Sequence, residues 1–374
     1  MTVESSKIDI KDLSRQQLAE WLQEQGQRPF RTDQVLRWVY LRQTDHFEEM
    51  TNLGKPLRAA LAAAFVNPRL QVENEAFSKD GSRKILFRLH DGRHIETVLI
   101  PEKDHFTLCI SSQVGCRQGC RFCMTAKGGW VRNLSAGEIV SQVRDVKRQV
   151  DAKGDMPLSN IVFMGMGEPL DNTTNVVRAL EAMTDGDWGL KFSSRRVTVS
   201  TAGIVPAMAD LGRDTRVNLA VSLNATEDDT RSRLMPVNRR YPIAELVAAC
   251  RRYPLPPRRK ITFEYILMKG VNDSLADARR LAKLLRPVKA KINLIPFNEH
   301  PGSEFLRPDP ERIVQFQETL AGHHYTAIVR HSKGQDIGAA CGQLRAKLKM
   351  DEGRGTKTED GCQRTEVGEP KSEG

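Results

Sequence analysis

Six apolar stretches, each followed by a stretch of helical periodicity, constrain the fold of this 374-residue chain more than any other feature. The apolar stretches cover residues 106–110, 160–167, 195–203, 217–225, 260–268 and 291–298. The first helical stretch, SAGEIVSQVRDVKRQV, opens with Ser135 and Glu138 at the spacing of a capping box. Continuous apolar strands joined by helices indicate a parallel sheet covered by helices, with right-handed crossovers. Six such units predict an α/β fold, a partial (β/α)6 barrel.

The chain before the first of these strands has a different pattern. Helical periodicity within residues 8–27, 32–40 and 55–65 predicts a small helical bundle. The segment SRKILFRLHDGRHIETVLIP then alternates apolar and polar residues around Asp91 and Gly92, which predicts a β-hairpin.

These patterns divide the chain into three predicted parts. Residues 1–90 form an N-terminal helical accessory domain that includes the start of the hairpin, and residues 91–349 form the barrel and the segment around Cys341. Residues 350–374 contain almost no apolar side chains and are predicted to be a disordered acidic tail.

Three cysteines, Cys116, Cys120 and Cys123, follow the first predicted strand of the barrel. In sheets of this class, ligands bind at the carboxyl ends of the strands, where these thiols lie. A loop this short can direct three thiols toward one point, as a metal or iron-sulfur centre requires. A structural zinc ion and a chance cluster are the alternatives, although zinc usually takes four protein ligands and no second CxxC pair is present.

The CxxxCxxC spacing, with Phe122 before the last cysteine, resembles the signature of the radical S-adenosylmethionine (SAM) superfamily. This resemblance implies a [4Fe–4S] cluster bound by the three cysteines. The iron without a cysteine would bind the amino and carboxylate groups of SAM.

Polar residues recur at the carboxyl ends of the other predicted strands. They are Gly167 with Glu168, Ser200, Ser222 with Asn224, and Asn298. Each alone could be an ordinary turn residue, but their recurrence at equivalent ends favours a ligand site. The glycines of MGMGEP would let the backbone approach a ligand closely, and Glu168 could accept a hydrogen bond from an ammonium or ribose hydroxyl group.

The charge of the chain favours a polyanionic partner. The formal net charge is +10, and because the last 25 residues carry seven acids and four bases, residues 1–349 carry +13. A solvated basic surface is the alternative. The runs RSRLMPVNRR (231–240) and RRYPLPPRRK (251–260) are candidate phosphate contacts or, equally, solvated faces.

The cellular compartment follows from what the sequence lacks. No apolar run approaches the roughly 20 residues that span a bilayer. The start, MTVESSKIDI, has no apolar core of a signal peptide, and the seven irregularly spaced cysteines do not suggest a disulfide scaffold. We therefore expect a cytoplasmic protein with no membrane partner.

Seven segments in order resemble the family of radical SAM methyltransferases that contains RlmN and Cfr, and the similarity spans about residues 5–348. They are SSQVGCRQGCRFC, MGMGEPL, RRVTVSTAG, SLNA, VNDS, INLIPFN and AACGQL. The RlmN branch methylates carbon 2 of adenosine in 23S rRNA and some tRNAs, which is the activity the resemblance implies. Methylation of carbon 8, as in the Cfr branch, is one alternative, and a non-catalytic iron-sulfur RNA sensor is a rival from another class.

The resemblance also implies roles for individual residues. Cys116, Cys120 and Cys123 correspond to the cluster ligands, and the implied SAM contacts are Gly167, Glu168, Ser200, Ser222, Leu223, Asn224 and Asn298. Cys341 corresponds to a cysteine that is methylated, Cys109 to a resolving cysteine and Glu96 to a proposed base. Read without the resemblance, Cys109 and Cys341 could be small core residues and Glu96 the polar side of a hairpin strand.

Two departures from the family pattern concern the same site. Asn224 stands where many members have histidine, which affects the detail of one ribose contact. HSKGQD stands where others have a TRGDD-like run, which leaves the basic contacts before Cys341 in question.

The implied chemistry explains why paired cysteines are needed. Carbon 2 of adenine is electron-poor and does not attack the methyl group of SAM, whereas a thiolate does. Cys341 would take a methyl group from one SAM, and a second SAM would yield the radical that transfers this carbon to carbon 2. Glu96 would then remove the carbon 2 proton, and Cys109 would release the RNA by forming a transient disulfide. The implied partners are 23S rRNA, tRNA and a flavodoxin-like electron donor, and the protein is expected to act as a monomer.

Overall fold

The computed structural model describes residues 7–154 and 156–346. Its N-terminal part contains three helices, α1 (Arg15–Glu24), α2 (Phe30–Tyr40) and α3 (Lys55–Ala64), between the parallel strands β1 (Ile8–Asp9) and β2 (Phe65–Val66). The helices coincide with the three helical patterns predicted from the sequence. The predicted tail, residues 350–374, lies outside the described residues.

A ten-stranded sheet dominates the rest of the described chain. In chain order, the remaining strands are β3 (Gln71–Phe77), β4 (Arg83–Arg88), β5 (His94–Pro101), β6 (Phe106–Cys109), β7 (Gln113–Gly115), β8 (Trp130–Asn133), β9 (Leu158–Phe163), β10 (Val197–Thr201), β11 (Asn218–Ser222), β12 (Ile261–Leu267), β13 (Ala290–Pro296) and β14 (Ala327–Val329). The order across the sheet is β14-β13-β12-β11-β10-β9-β6-β5-β4-β3, and β7 pairs separately with β8. The strands from β6 to β14 in this sheet are parallel, whereas β3 to β6 pair in antiparallel fashion.

Helices join the parallel strands. They are α4 (Met124–Lys127), α5 (Ala136–Lys153), α6 (Thr173–Thr184), α7 (Val205–Asp214), α8 (Asp228–Leu234), α9 (Ile243–Arg252), α10 (Leu275–Leu285) and α11 (Pro310–Gly322). The predicted capping box of α5 is present, because Ser135 Oγ accepts from the Glu138 N–H at 3.1 Å and the Glu138 carboxylate accepts from the Ser135 N–H at 3.0 Å. All six predicted strands and the helices between them are observed. The short strand β14 follows the sixth unit, so the predicted α/β fold, a partial (β/α)6 barrel, is confirmed.

The predicted hairpin consists of β4 and β5, and it continues the barrel sheet because β5 also pairs with β6. The predicted boundary at residue 90 falls in the turn of this hairpin, and the division into domains stays a prediction. The structure adds β3, which the sequence did not predict because QVENEAF is mostly polar. As an edge strand, β3 exposes most of its side chains to solvent.

A buried arginine connects the N-terminal helices to the barrel. Arg144 of α5 is 1% exposed, and its guanidinium donates to the backbone oxygen of Thr44 (3.1 Å), to Asn67 Oδ1 (3.2 Å) and to Asp45 Oδ1 (2.5 Å). A guanidinium can be buried in this way because several acceptors share its charge. Among the helices that the structure describes, none has both the length and the apolarity required to cross a membrane.

Candidate active site

The three motif cysteines lie in the loop between β7 and β8, at the carboxyl end of the first barrel strand. Gly115, just before Cys116, has a φ of +76°, and a Cβ atom there would lie 2.0 Å from the backbone oxygen of Gly129. This close approach lets the Cys116 N–H donate to the same oxygen at 2.8 Å. A glycine at position 115 therefore closes the loop that presents the thiols.

The side chains of Cys116, Cys120 and Cys123 line one cavity, which we call the cysteine cavity. Among the described residues, no three His, Cys, Asp or Glu side chains converge closely enough to hold a single metal ion. A zinc ion would require its thiolates to converge within about 2.3 Å of one point. A four-iron cluster is larger and places its ligands farther apart, and three thiols around one cavity can serve as its ligands.

The protonation of these thiols also fits a metal centre. Burial raises the pKa of Cys116 to about 12 and raises the pKa of Cys120 well above its ordinary value. Such thiols keep their protons at neutral pH until a metal centre displaces them. The cysteine cavity can therefore hold an iron-sulfur cluster.

Four of the predicted SAM-contact residues line the cysteine cavity, and three do not. Those that line it are Gly167, Glu168, Ser200 and Ser222. Gly167 has a φ of +102°, and a Cβ atom there would lie 2.6 Å from Gln113 Cβ. The close approach that this glycine permits is therefore to the Gln113 side chain, in addition to any ligand in the cavity.

Glu168 is buried, and both carboxylate oxygens accept backbone hydrogen bonds. Oε1 accepts from the Leu170 N–H at 3.0 Å, and Oε2 accepts from the Ala202 N–H at 2.7 Å. Burial raises the pKa of Glu168 to about 7. Because a carboxylate has about four acceptor sites, Glu168 can still accept from a ligand ammonium group.

The other three predicted SAM contacts are buried or bond to other residues of the protein in this structure. Leu223 is fully buried. Asn224 has a φ of +57°, and its Oδ1 accepts from the Ile266 N–H at 2.8 Å while its Nδ2 lies 3.2 Å from Met235 Sδ. Asn298 Nδ2 donates to the backbone oxygen of Cys341 at 3.2 Å. Their assignment as SAM contacts stays a prediction.

A second cavity, which we call the basic cavity, lies beside the first. Its lining includes Cys109 at the end of β6 and the basic side chains of Arg330, His331 and Lys333. Burial and the neighbouring Cys341 thiol raise the pKa of Cys109 well above its ordinary value. Cys109 is therefore protected from spontaneous ionisation.

Cys341 lines both cavities, and the structure thus brings it together with Cys109 and the motif cysteines. Its side chain is exposed to the cavities, yet protein surrounds the site. That burial raises the pKa of the Cys341 thiol, whereas the charge of Arg330 opposes the shift. Cys341 is placed to react with a ligand in either cavity.

Hydrogen bonds to the backbone of the Cys341 segment hold it against the motif loop and β5. The Met124 N–H donates to Gly342 O at 2.7 Å, and Thr125 Oγ1 donates to Leu344 O at 2.8 Å. The Arg345 N–H donates to Glu96 Oε2 at 2.8 Å. The sulfur of Cys341 is therefore positioned by residues on both sides.

Glu96 does not line either cavity. Besides accepting from the Arg345 N–H, its carboxylate forms an ion pair with Lys84 Nζ at 3.0 Å, and the same ammonium donates to Gly338 O at 3.2 Å. In this structure, Glu96 anchors the segment that carries Cys341. Its predicted role as a base stays a prediction.

Two aspartates, one on each side of the contact, attach the segment that carries Cys341 to the turn between β3 and β4. Asp80 Oδ2 accepts from the Gly334 N–H at 2.7 Å. Asp336 accepts from Ser78 Oγ at 2.6 Å and from the Lys79 N–H at 3.1 Å. Burial alone would raise the pKa of Asp80, but hydrogen bonds from the backbone of Gly334 and the turn lower it to about 2.

Replacing Asp80 with alanine is therefore expected to destabilise the protein in a pH-dependent way. The effect should be about 0.5 kcal/mol, because the carboxylate is largely exposed to solvent. The folded-state pKa of about 2 lies below the ordinary value of 3.8. The contribution should thus be full above pH 4 and disappear as the pH falls toward 2. Urea unfolding of wild type, Asp80→Ala and the exposed-site control Glu318→Ala between pH 3 and 7 tests this, and a pH-independent difference would contradict it.

The structure bears on the two basic runs that the sequence offers as candidate phosphate contacts or solvated faces. Arg231, in the first run, is 0% exposed and bonds to backbone oxygens, so its reading as a phosphate contact is wrong. The second run, 251–260, directly precedes β12 and therefore lies at the end of the sheet opposite the cavities. Of the first run, Arg233, Arg239 and Arg240 remain exposed near the carboxyl ends of the strands.

Glu264, which is not among the predicted site residues, lines both cavities from the middle of β12. A signal was present, because KITFEYILM places a carboxylate inside an otherwise apolar strand of a parallel sheet. Glutamate is seldom fully buried without a partner. A carboxylate in such a strand therefore indicates a functional site more strongly than the apolar residues around it do.

Comparisons with known proteins agree with this geometry. Residues 8–66 match the family model described as "Ribosomal RNA large subunit methyltransferase N-terminal domain", and residues 110–282 match the model of the radical SAM superfamily. The chain is 56% identical over 341 residues to "Dual-specificity RNA methyltransferase RlmN" of Desulfosudis oleivorans, with 91% of each chain covered. It is 54% identical to the protein of the same name from Geobacter sulfurreducens, covering 91% of this chain and 93% of the relative.

A solved structure is similar over almost the same length. The crystal structure of a radical SAM methyltransferase from Sphaerobacter thermophilus aligns with a TM-score of 0.84 at 46% identity, covering 91% of this chain and 100% of that chain.

The barrel and its three cysteines, together with the superfamily match, define a radical SAM enzyme whose cofactors are a [4Fe–4S] cluster and SAM. The similarity to the two curated relatives extends over almost the whole chain. The chain therefore belongs to the RlmN family of radical SAM RNA methyltransferases. The family, fold class and cofactors predicted from the sequence are confirmed.

Proposed function

We propose that this enzyme methylates carbon 2 of an adenosine in 23S rRNA and of adenosines in tRNA. The relatives are named dual-specificity RNA methyltransferases, which supports two RNA substrates. The observation that carries the proposal is the position of Cys341, which lines both the cysteine cavity and the basic cavity. A sulfur at this junction can accept a carbon from one side and deliver it to the other.

The two cavities have different proposed occupants. Cys116, Cys120 and Cys123 would hold the cluster, and the polar strand ends in the same cavity would hold SAM. When bound, the cluster supplies the electron for reductive cleavage of SAM, which makes a hydrogen atom removable from a methylated sulfur. The basic cavity would take the target nucleotide, because RNA-modifying enzymes act on unstacked bases and Arg330 and Lys333 can contact phosphate.

In this proposal, Cys341 is the carrier of the carbon. Its thiolate attacks the methyl group of a SAM substrate, which forms the S–CH3 bond and releases S-adenosylhomocysteine. After a hydrogen atom is removed from this methyl group, the carbon bonds to carbon 2 of adenine. The RNA is then covalently attached to Cys341.

Cys109 would release the product. The adduct would first lose its carbon 2 proton and its unpaired electron, which the oxidised cluster would accept. Attack of Cys109 Sγ on Cys341 Sγ then breaks the bond between that sulfur and the transferred carbon and forms a disulfide, and the proton of the Cys109 thiol completes the methyl group. The carbon 2 proton passes to a base, for which Glu96 is the predicted residue. Its contacts with Lys84 and the Arg345 N–H would have to loosen before its carboxylate could reach the basic cavity. A flavodoxin-like protein would supply the electron, and the enzyme would act as a monomer.

Mass spectrometry of modified RNA tests the proposed position of methylation. The protein is reconstituted with iron and sulfide under anaerobic conditions and incubated with methyl-labelled SAM and either 23S rRNA or tRNA. We expect 2-methyladenosine in digests of both RNAs. Formation of 8-methyladenosine would contradict carbon 2 as the target. If tRNA gained no labelled methyl group, the substrate would be restricted to rRNA.

The variant Cys341→Ala tests the carrier role. RNA methylation should fall below detection, because no sulfur remains at the junction of the cavities. The variant Cys250→Ala is the matched control, since Cys250 lies buried in α9. Methylation that survives in Cys341→Ala would contradict a covalent carrier.

A further inference from the structure

The wall between the two cavities consists of side chains that line both. These are Met164, Glu264, Ile295 and Cys341. Met164 and Ile295 are apolar and offer no group for proton transfer. Glu264 and Cys341 are therefore the two ionisable side chains at the junction.

One carboxylate oxygen of Glu264 accepts a hydrogen bond, and the other has no partner among the described residues. Its side chain is 4% exposed, and Oε1 accepts from Asn293 Nδ2 at 2.9 Å. Its Oε2 is buried and has no hydrogen-bond partner among the described residues. A buried polar atom without a partner lowers stability, so a carboxylate held in this way indicates a function in the cavity.

The other carboxylates near the site do not line both cavities, and Glu168 lines only the cysteine cavity. Both oxygens of Glu168 accept backbone N–H groups, and Glu96 contacts Lys84 and the Arg345 backbone without lining either cavity. Glu102 lines only the basic cavity and lies 3.8 Å from Lys333 Nζ. Glu264 is thus the carboxylate that lines both cavities together with Cys341, and its charge acts on the Cys341 thiol.

We infer that Glu264 is the base that removes the proton from Cys341 Sγ when this sulfur takes its methyl group. The inference rests on the proposed function, in which Cys341 is methylated. In the step, the S–H bond breaks and its proton passes to Glu264 Oε2. The sulfur electron pair forms the bond to the methyl carbon, and the sulfonium of SAM leaves as the neutral thioether S-adenosylhomocysteine.

The surrounding charges suit this role. Burial raises the pKa of Glu264, which makes its carboxylate a stronger base, while Arg330, Asn293 and Lys291 oppose the shift and favour the carboxylate form. Burial likewise raises the pKa of Cys341, so its thiol needs a proton acceptor. Once the ligands of the two cavities exclude water, that acceptor has to be a protein group.

The decisive experiment measures two reactions of Cys341 in wild type and Glu264→Gln. Glutamine keeps the size of the side chain and an oxygen that accepts from Asn293. The first reaction is gain of methyl at Cys341 in the cluster-loaded protein with SAM and no RNA, followed by peptide mass spectrometry from pH 6 to 9. We expect Glu264→Gln to be about 100-fold slower at pH 7. Its rate should rise with pH, while the wild-type rate reaches a plateau.

The second reaction is alkylation of Cys341 by iodoacetamide in protein without cluster or SAM, where water can accept the proton. Loss of the neighbouring negative charge should make alkylation of Glu264→Gln as fast as in wild type or faster. If Glu264→Gln is methylated more slowly than wild type but alkylated at least as fast, Glu264 is the base. If both reactions slowed equally, Glu264 would have a structural role, and if methylation were unchanged, the inference would be wrong.

The exposed-site variant Glu318→Gln on α11 is the control and should match wild type in both reactions. Failure of the proposed function and failure of the role of Glu264 give different results. Wild-type protein that never gains a methyl group at Cys341 would contradict the proposed function. If wild type and Glu264→Gln gained the methyl group at Cys341 at the same rate, only the role of Glu264 would be contradicted.

Discussion

Protein in which Cys109 is replaced with alanine is expected to remain covalently attached to its RNA substrate. Cys109 and Cys341 both line the basic cavity, and no other described cysteine lines it. Without the Cys109 thiolate, the bond between Cys341 Sγ and the transferred carbon has no nucleophile to break it. Incubation with SAM, reductant and end-labelled RNA should give a labelled band at the mass of protein plus RNA on a denaturing gel. Turnover should fall by at least 100-fold.

The double variant Cys109→Ala/Cys341→Ala should form no such band, because the attachment site is missing. Cys250→Ala should turn over as wild type, since Cys250 packs in the core and lines neither cavity. A Cys109→Ala protein that releases methylated RNA at the wild-type rate would contradict the release step. A labelled band that persists in the double variant would place the attachment at another residue.

The elements of the barrel could be predicted because their signals are local. Continuous apolar runs between helical patterns specify parallel strands that are covered by helices, and all six were found. The cysteine motif could be placed for the same reason, since it follows directly after the first strand. The polar edge strand β3 could not be predicted, because its pairing with β4 gives it an extended conformation that its own residues do not favour.

The candidate site could be predicted only in part, because contacts between distant segments decide the rest. The sequence places Glu96 on a hairpin strand but does not show that its carboxylate binds the backbone of Arg345. It shows the charge of Arg231 but not the carbonyl groups that surround it. Glu264 has a local signal, yet its place in the lining of both cavities with Cys341, and an Oε2 with no hydrogen-bond partner among the described residues, follow only from the packing of β12 against β13 and the C-terminal segment.

Replacing Arg231 with methionine is expected to destabilise the protein by about 3 to 5 kcal/mol. The guanidinium is fully buried and donates to backbone oxygens of Ala202 (2.7 Å), Ser222 (3.1 Å) and Leu223 (3.0 Å), and to Asn238 Oδ1 (2.9 Å). Burial lowers the pKa of Arg231 to about 10, so it remains charged at pH 7. Methionine fills part of the volume but leaves these acceptors buried without donors.

The loss of these hydrogen bonds would also affect the candidate active site, because the backbone acceptors lie at the carboxyl ends of β10 and β11. Arg231 thereby joins the two strand ends that place Ser200 and Ser222 in the cysteine cavity. Urea unfolding of the cluster-free protein at pH 7 measures the effect. Arg233→Met on the same helix is the matched control, and since Arg233 is exposed it should change stability by less than about 0.5 kcal/mol. If Arg231→Met were no more destabilising than this control, the carbonyl groups at the strand ends would not depend on the buried cation.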